Sequence, residues 1–297
     1  YWHLTLLNEK SNLFKSTEIN DLLKFLALKD WCIKNNINEI FVNSKKIYLL
    51  SSIKKFCYNY GIKYNDWNFK NNELKFFRLN FFNKQLKFLK AILWLCSYLI
   101  YTLPLIFFKT KNWKNFNSNL LFVSYFDNLN IIKEEEYRSN YWDKLPTSLN
   151  SNNKPIRFLH LFAKDLVSSS PLAAFKLISK FNKTKLQNHI FLDSFLNIKI
   201  ILNTICDYLF LSKNSYDFNK ILDLRFDSWP IISNDFIRSL NGPYCMKNLI
   251  NFHLLNHAIS SVNKQSSCIY LQENQSWELS LIFNSKLHGL NRIIAYN

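Results

Sequence analysis

Short apolar runs alternate with longer stretches of helical periodicity along most of this chain, and that alternation confines it to few folds. Thr17 can cap a helix over 18–35, with Leu22, Phe25, Leu26, Cys32 and Ile33 on one stripe. Lys29 interrupts the stripe, so its stem must snorkel. Glu39–Val42 reads as a strand, Lys46–Tyr60 as a helix closed by Gly61, and Ile62–Trp67 as the next strand; Trp2–Leu7 is a further apolar run. The rhythm resumes with a strand over Asn119–Tyr125 that leads to Asp127, then Ile156–Phe162 and a helix over Pro171–Phe181 behind Ser168–Ser170. His189–Leu192 is a strand and Ile198–Leu211 a helix. Gly242 and Pro243 open a helix over Tyr244–Ser260, and Cys268–Leu271 is a strand. Ser276–His288 is a helix ended by Gly289, and Arg292–Ala295 a last strand. Helices between strands on short connections predict α/β architecture with parallel sheets.

Residues 69–115 break the rhythm. Phe69–Lys90 interleaves Phe76, Phe77, Phe81, Phe82 and Phe88 with Lys70, Lys75, Arg78, Lys84, Lys87 and Lys90. Ala91–Phe108 then runs 18 residues without a charge and contains Pro104. That length sits at the lower limit for a membrane span, and both flanks are basic. A span would put the α/β segments on opposite sides of a bilayer. The favoured reading is a hydrophobic helical hairpin bent near Pro104, lying in a membrane surface and anchored by Lys, Trp and Tyr. A buried helix pair of a soluble domain and a simple span are the alternatives. The expected division is an N-terminal α/β part over 1–77, a membrane-associating insert over 78–115 and a second α/β region over 116–297.

Composition excludes several chemistries. Three glycines in 297 residues, Gly61, Gly242 and Gly289, leave no Walker loop and no GxGxxG, so a phosphate site must use helix N-termini and side chains. The formal charge is +17, yet the 38 basic residues are 32 Lys and 6 Arg. Arg reads bases and grips phosphates in a bidentate fork, so this excess suits anionic lipid or anionic substrates better than nucleic acid. The six cysteines and six histidines show no metal spacing, and the thiols read as buried and reduced in a cytoplasmic protein. No secretory signal is read at the start.

Three clusters could carry chemistry. Cys268–Leu271 delivers Glu273, Asn274 and Gln275 to a strand's carboxyl end, where a helix begins near Ser276. Ligands of open α/β sheets bind at such ends. Glu273 could accept sugar hydroxyls and Trp277 could face a sugar ring; plain helix capping with Glu278 in the first turn and Trp277 in the core is the competing reading. Asp127 ends another strand and could act as a general base on an acceptor hydroxyl. Glu134–Glu136 is an alternative, and both could equally be solvated turn residues. Tyr141-Trp142-Asp143-Lys144-Leu145-Pro146 looks like an aromatic anchor stopped by proline, lining a cleft or packing. Arg225 or Arg238 could neutralise a diphosphate, or pair with Asp223 or Asp227. The scattered histidines read as structural.

Tyr1-Trp2 with Leu6–Lys10, Phe122–Asp127, Tyr141–Pro146 and Ile269–Glu278, above all its Glu273-Asn274-Gln275-Ser276-Trp277-Glu278, resemble, in collinear order, a family of bacterial surface-carbohydrate (O-antigen-type) biosynthesis proteins. Members of that family are similar to glycosyltransferases of the GT-B type. The resemblance implies two Rossmann-like domains and no obligatory metal or other cofactor. It implies a nucleotide-sugar donor, a glycan or lipid-linked acceptor, and a place on the inner face of the cytoplasmic membrane. By it, Glu273, Asn274, Gln275, Trp277 and Glu278 are donor-site candidates. It also implies that the second domain is incomplete here. A Lys-rich nucleic-acid-binding protein and a non-catalytic scaffold of polysaccharide assembly are the alternatives.

Overall fold

A computed structural model describes residues 18–66, 76–107, 111–127, 129, 137–164, 168–262, 266–290 and 292–297. Trp2–Leu7, Thr17, Phe69–Lys75 and Glu134–Glu136 lie outside the described residues. In chain order come α1 (Glu18–Lys34), β1 (Glu39–Val42), α2 (Ile47–Tyr60), β2 (Lys63–Asp66), α3 (Phe76–Ile106) and α4 (Lys111–Asn115). Next are β3 (Leu120–Phe126), α5 (Leu145–Ser151), β4 (Ile156–Phe162), α6 (Pro171–Phe181) and β5 (Gln187–Phe191). A short 3-10 turn follows at Leu192–Phe195. The chain ends with α7 (Ile198–Arg225), α8 (Trp229–Leu240), α9 (Gly242–Ser260), β6 (Ser267–Leu271), α10 (Ser276–Leu287) and β7 (Arg292–Tyr296).

Two compact units result. One takes the described residues of Tyr1–Ile92 and Asp207–Met246, the other those of Leu93–Cys206 and Lys247–Asn297. This differs from the division expected at 77 and 115. Residues 207–246 join the N-terminal part because Ile231 of α8 packs in one core with Phe25, Val42, Ile53 and Phe56.

In the first unit, β1 and β2 pair in parallel from Glu39↔Lys63 to Val42↔Asp66. The buried stripe of α1 is Asp21, Phe25 and Cys32, whereas Leu26 and Ile33 face outward. Asp21 is tolerated inside because Lys46 Nζ reaches its Oδ2 at 2.6 Å and the Tyr48 hydroxyl donates to the same oxygen at 2.8 Å. Burial pushes that carboxyl up, but these two donors hold it below its ordinary range. Lys29 snorkels as expected: its Nζ lies 2.7 Å from Asp227 Oδ2 and 5.1 Å from the Tyr60 ring centre. Gly61 ends α2 at φ 67°, its N–H bonded to the Cys57 and Tyr58 carbonyls.

The second unit is built on five parallel strands in the order β5-β4-β3-β6-β7. Counted along the chain that is third, second, first, fourth, fifth, the doubly wound pattern. The central strands β3 and β4 are buried nearly throughout, as covering on both faces requires. Phe122, Phe126, Tyr137, Trp142, Phe158, Phe181 and Phe191 form the core on one face.

The expected hairpin at Pro104 does not form. α3 is one continuous helix with Pro104 in its last turn, so the i→i−4 bond that proline removes falls where the helix is already ending. Its later half carries two stripes. Leu95, Thr102 and Leu105 are buried, and the hydroxyl of Tyr98 on the same stripe donates to Asp193 Oδ1. Leu93, Ile100 and Leu103 form an exposed stripe that Phe107 continues. α3 is long and apolar enough to cross a membrane by length and composition.

Candidate functional site

The place where β3 and β6 part is the switch point of the doubly wound sheet. β3 pairs with β4 as far as Phe126↔Phe162, but with β6 only as far as Val123↔Tyr270. The last three residues of β3 thus run on without a β6 partner, and ligands of such sheets bind outside this opening. Asp127 follows β3 directly and Glu273 follows β6 by two residues, so topology brings both carboxylates to one edge.

The turn from β6 into α10 is tightly made. Gln272 N–H donates to the Tyr296 carbonyl of β7 at 2.9 Å. Asn274 takes a left-handed conformation at φ 57°, which Asn accepts more readily than most residues. Gln275 is the N-cap of α10. Glu278 points inward: its Oε1 accepts the N–H of Glu273 at 2.9 Å and of Gln275 at 2.8 Å. The first-turn carboxylate also offsets the positive end of the helix dipole.

This geometry sorts the candidates. Glu273 and Gln275 are half-buried and Asn274 is exposed, all three at the open edge. Glu278 is 4% exposed and spent on the turn. Trp277 is 3% exposed and packs edge-on against Tyr125 and Tyr270, with ring centres 5.8 and 6.4 Å away, so its ring is core and offers no platform to a sugar. Burial raises the Glu273 carboxyl, and the nearby Glu278 charge raises it further. A carboxylate so placed is a stronger base than a free one and a good acceptor for hydroxyl groups.

Asp127 is half-buried at the end of β3. Its charge reaches Tyr137, whose hydroxyl is pushed up first by burial and additionally by Asp127. Trp142 is fully buried: Nε1 donates to Ser124 Oγ at 3.2 Å and the ring meets Phe122 edge-on at 4.9 Å. Tyr141 is half-buried against the same core. Pro146 opens α5 instead of stopping a helix, a position where its fixed φ fits. Arg225 is exposed at the end of α7, in the other unit. Asp223 and Asp227 pair with Lys55 and Lys29 instead of an arginine.

An open cleft of about 520 Å³ adjoins the chain leaving β3. Arg138, Ser139, Asn140, Asp143, Lys144, Thr147 and Ser148 line it, and the Leu129–Ser139 bridge ties its rim to the stretch after Asp127. Its volume falls in the range of small-molecule sites. Arg138 and Lys144 give it positive charge, against the single carboxylate of Asp143. No spacing in the sequence marks these residues as a group, because a turn and the start of a short helix assemble them.

Elsewhere the titratable groups are structural. His160 Nε2 and His189 Nδ1 are 3.0 Å apart inside the aromatic core, and His189 Nε2 meets Gln187 Oε1 at 3.0 Å. Burial lowers His160 to about 3 and lowers His189 as well, so both rings are neutral. Four cysteines are buried, while Cys96 and Cys206 are exposed, contrary to the expectation of six buried thiols. Among the described residues, no group of three or more His, Cys, Asp or Glu is placed to hold a metal ion. The protein is an α/β protein with parallel sheets, and no protein-family model, curated protein or solved structure matches it.

Proposed function

We propose that this chain is a glycosyltransferase-like protein that moves a sugar from a nucleotide-sugar to a lipid-linked acceptor in surface-polysaccharide assembly. One observation carries the reading: the reversal of strand order in the second unit brings Asp127 and Glu273 to the edge where doubly wound sheets take ligands. Glu273, Asn274 and Gln275 would hold donor hydroxyls there. Arg138 and Lys144 of the neighbouring cleft would offset phosphate charge as it develops on the leaving group. Asp127 would take the proton of the attacking hydroxyl. The exposed stripe of α3 and the net charge of +17 support a peripheral place on an anionic membrane surface.

A thermal-shift series of nucleotide-sugars on the full chain tests the reading, followed by transfer assays with the donor that binds. Glu273→Gln and Asp127→Asn should each lower turnover by about 10²-fold or more while the fold persists. Wild-type turnover in both variants, or no donor binding to the intact protein, would remove the proposal. Sedimentation with vesicles checks membrane placement: Ile100→Glu with Leu103→Glu should weaken binding to anionic vesicles.

A further inference from the structure

A second opening, of about 360 Å³, lies at the amino end of the five-stranded sheet, away from the switch point. Lys114, Asn115, Phe116, Asn117, Ser118, Arg157 and the end of α9 line it. Arg157 is the second residue of β4 and is 4% exposed. A guanidinium carries five N–H donors and a permanent charge. Here Nη2 donates to the Phe116 carbonyl and the group lies 5.5 Å from the Trp113 ring centre. Nε and Nη1 are buried and make no hydrogen bond, and among the described residues no carboxylate pairs with the charge. Taking a charge out of water without a counter-ion is costly, so such a group is a place for an anion.

Among the described residues, the charged side chains nearby are basic. Lys114 is exposed on the rim, and Lys114 and Lys199 both lie near enough to His257 to disfavour its protonation, after the larger effect of burial. The negative end of the α9 dipole is already satisfied. Ser260 Oγ donates to the His257 carbonyl, Ser261 N–H and Oγ to that of Ala258, and Val262 N–H to that of Ile259. Among the described residues, no acidic side chain lines the opening.

We propose that Arg157 and Lys114 form a binding site for a phosphate group at the amino end of the sheet, separate from the switch-point edge. The chemistry fits inorganic phosphate, a soluble phosphate ester or a phospholipid headgroup. Calorimetric titration of the intact chain with inorganic phosphate and with pyrophosphate, at ionic strength held constant with KCl, tests it. A parallel arm uses phosphatidylcholine vesicles with and without phosphatidic acid. Saturable binding is expected in at least one arm, and Lys114→Ala should weaken it about tenfold, as loss of a charge-assisted contact does. Lys114 is exposed, so that variant keeps its fold, which circular dichroism checks; Arg157→Gln should abolish binding. Binding of free phosphate assigns a soluble ligand, and binding of phosphatidic acid vesicles alone assigns a headgroup where Arg157→Gln and Lys114→Ala weaken it and vesicles of equal charge made with phosphatidylglycerol bind less. Absence of saturable binding in both arms, or affinity unchanged in Lys114→Ala, would overturn the proposal.

Discussion

Glu278 is the residue on which the candidate edge depends mechanically. Its Oε1 takes two backbone N–H groups at 2.8 and 2.9 Å inside a site where it is 4% exposed. Hydrogen bonds to a charged group contribute about 1.5–3 kcal/mol each, and two that share one oxygen do not add in full. Glu278→Ala should therefore cost about 3 kcal/mol, because both amides lose their partner in a place water reaches poorly. Glu278→Gln keeps an acceptor oxygen and should cost about 1 kcal/mol. With a urea slope of about 3 kcal/mol/M, the alanine variant should unfold about 1 M earlier than wild type. Trp277 follows the loosening, since it packs between Tyr125 and Tyr270 one residue away. A midpoint shift below about 0.3 M for Glu278→Ala, or equal shifts for Ala and Gln, would show that this carboxylate does not hold the turn.

Glu273 behaves oppositely: its folded pKa is raised, so its contribution to stability is full below the unfolded value and is lost as pH rises through the folded one. Glu273→Gln should accordingly be neutral or stabilising at pH 8 and indistinguishable from wild type in that respect near pH 4, read by urea midpoints at both pH values. Glu18 is raised to about 7, first by burial and then by the Asp235 charge. The N-terminal unit should lose stability between about pH 4.5 and 7, and Glu18→Gln should flatten that part of the profile. Asp21→Ala should destabilise by about 2 kcal/mol at pH 7, with the difference shrinking as pH falls through the lowered folded pKa. Gly61→Ala should cost about 1 kcal/mol in thermal unfolding, from backbone strain alone, since nothing lies within 4 Å of an added Cβ.

Features governed by neighbours in sequence were legible, and those governed by distant ones were not. Gly61 and Gly289 end helices with positive φ, and Ser170 caps α6 by accepting the Ala173 N–H, each from local chemistry that the sequence displays. The ends of β3 and β6 were also placed within a residue or so. Strand order could not be read, because pairing of β3 with β6 joins Leu120 to Ser267 across most of the unit. For the same reason the sequence puts Asp127 and Glu273 in separate clusters. The direction of Trp277 was undecided by spacing; Tyr125 and Tyr270, on two strands beneath the helix, turn it inward. The α1 stripe slipped because Leu26 and Ile33 are apolar yet exposed, while Asp21 is polar yet buried. α8 is missing from the sequence reading although Ser228 and Pro230 stand where a helix start favours them.

The later half of α3 shows why its apolar length does not make it a span while this packing holds. Tyr98 donates to Asp193, the Leu105 carbonyl accepts from Ser194 Oγ at 2.8 Å, and Tyr101 lies 5.9 Å from Phe162. Asp193 and Phe162 stand at the carboxyl ends of β5 and β4. A helix crossing a bilayer would either break these contacts or draw the sheet's polar edge into lipid, where unpaired backbone groups cost several kcal/mol each. A membrane surface asks for neither. It would meet the stripe of Leu93, Ile100, Leu103 and Phe107, all more than half exposed. Burying four such side chains contributes several kcal/mol, about the strength of one acyl chain, which by itself anchors weakly. Basic residues near an anionic surface add about 1 kcal/mol each. On the proposed membrane placement, basic residues beside the apolar run would supply the second signal that peripheral attachment needs, and the helix would keep its protein face on the sheet.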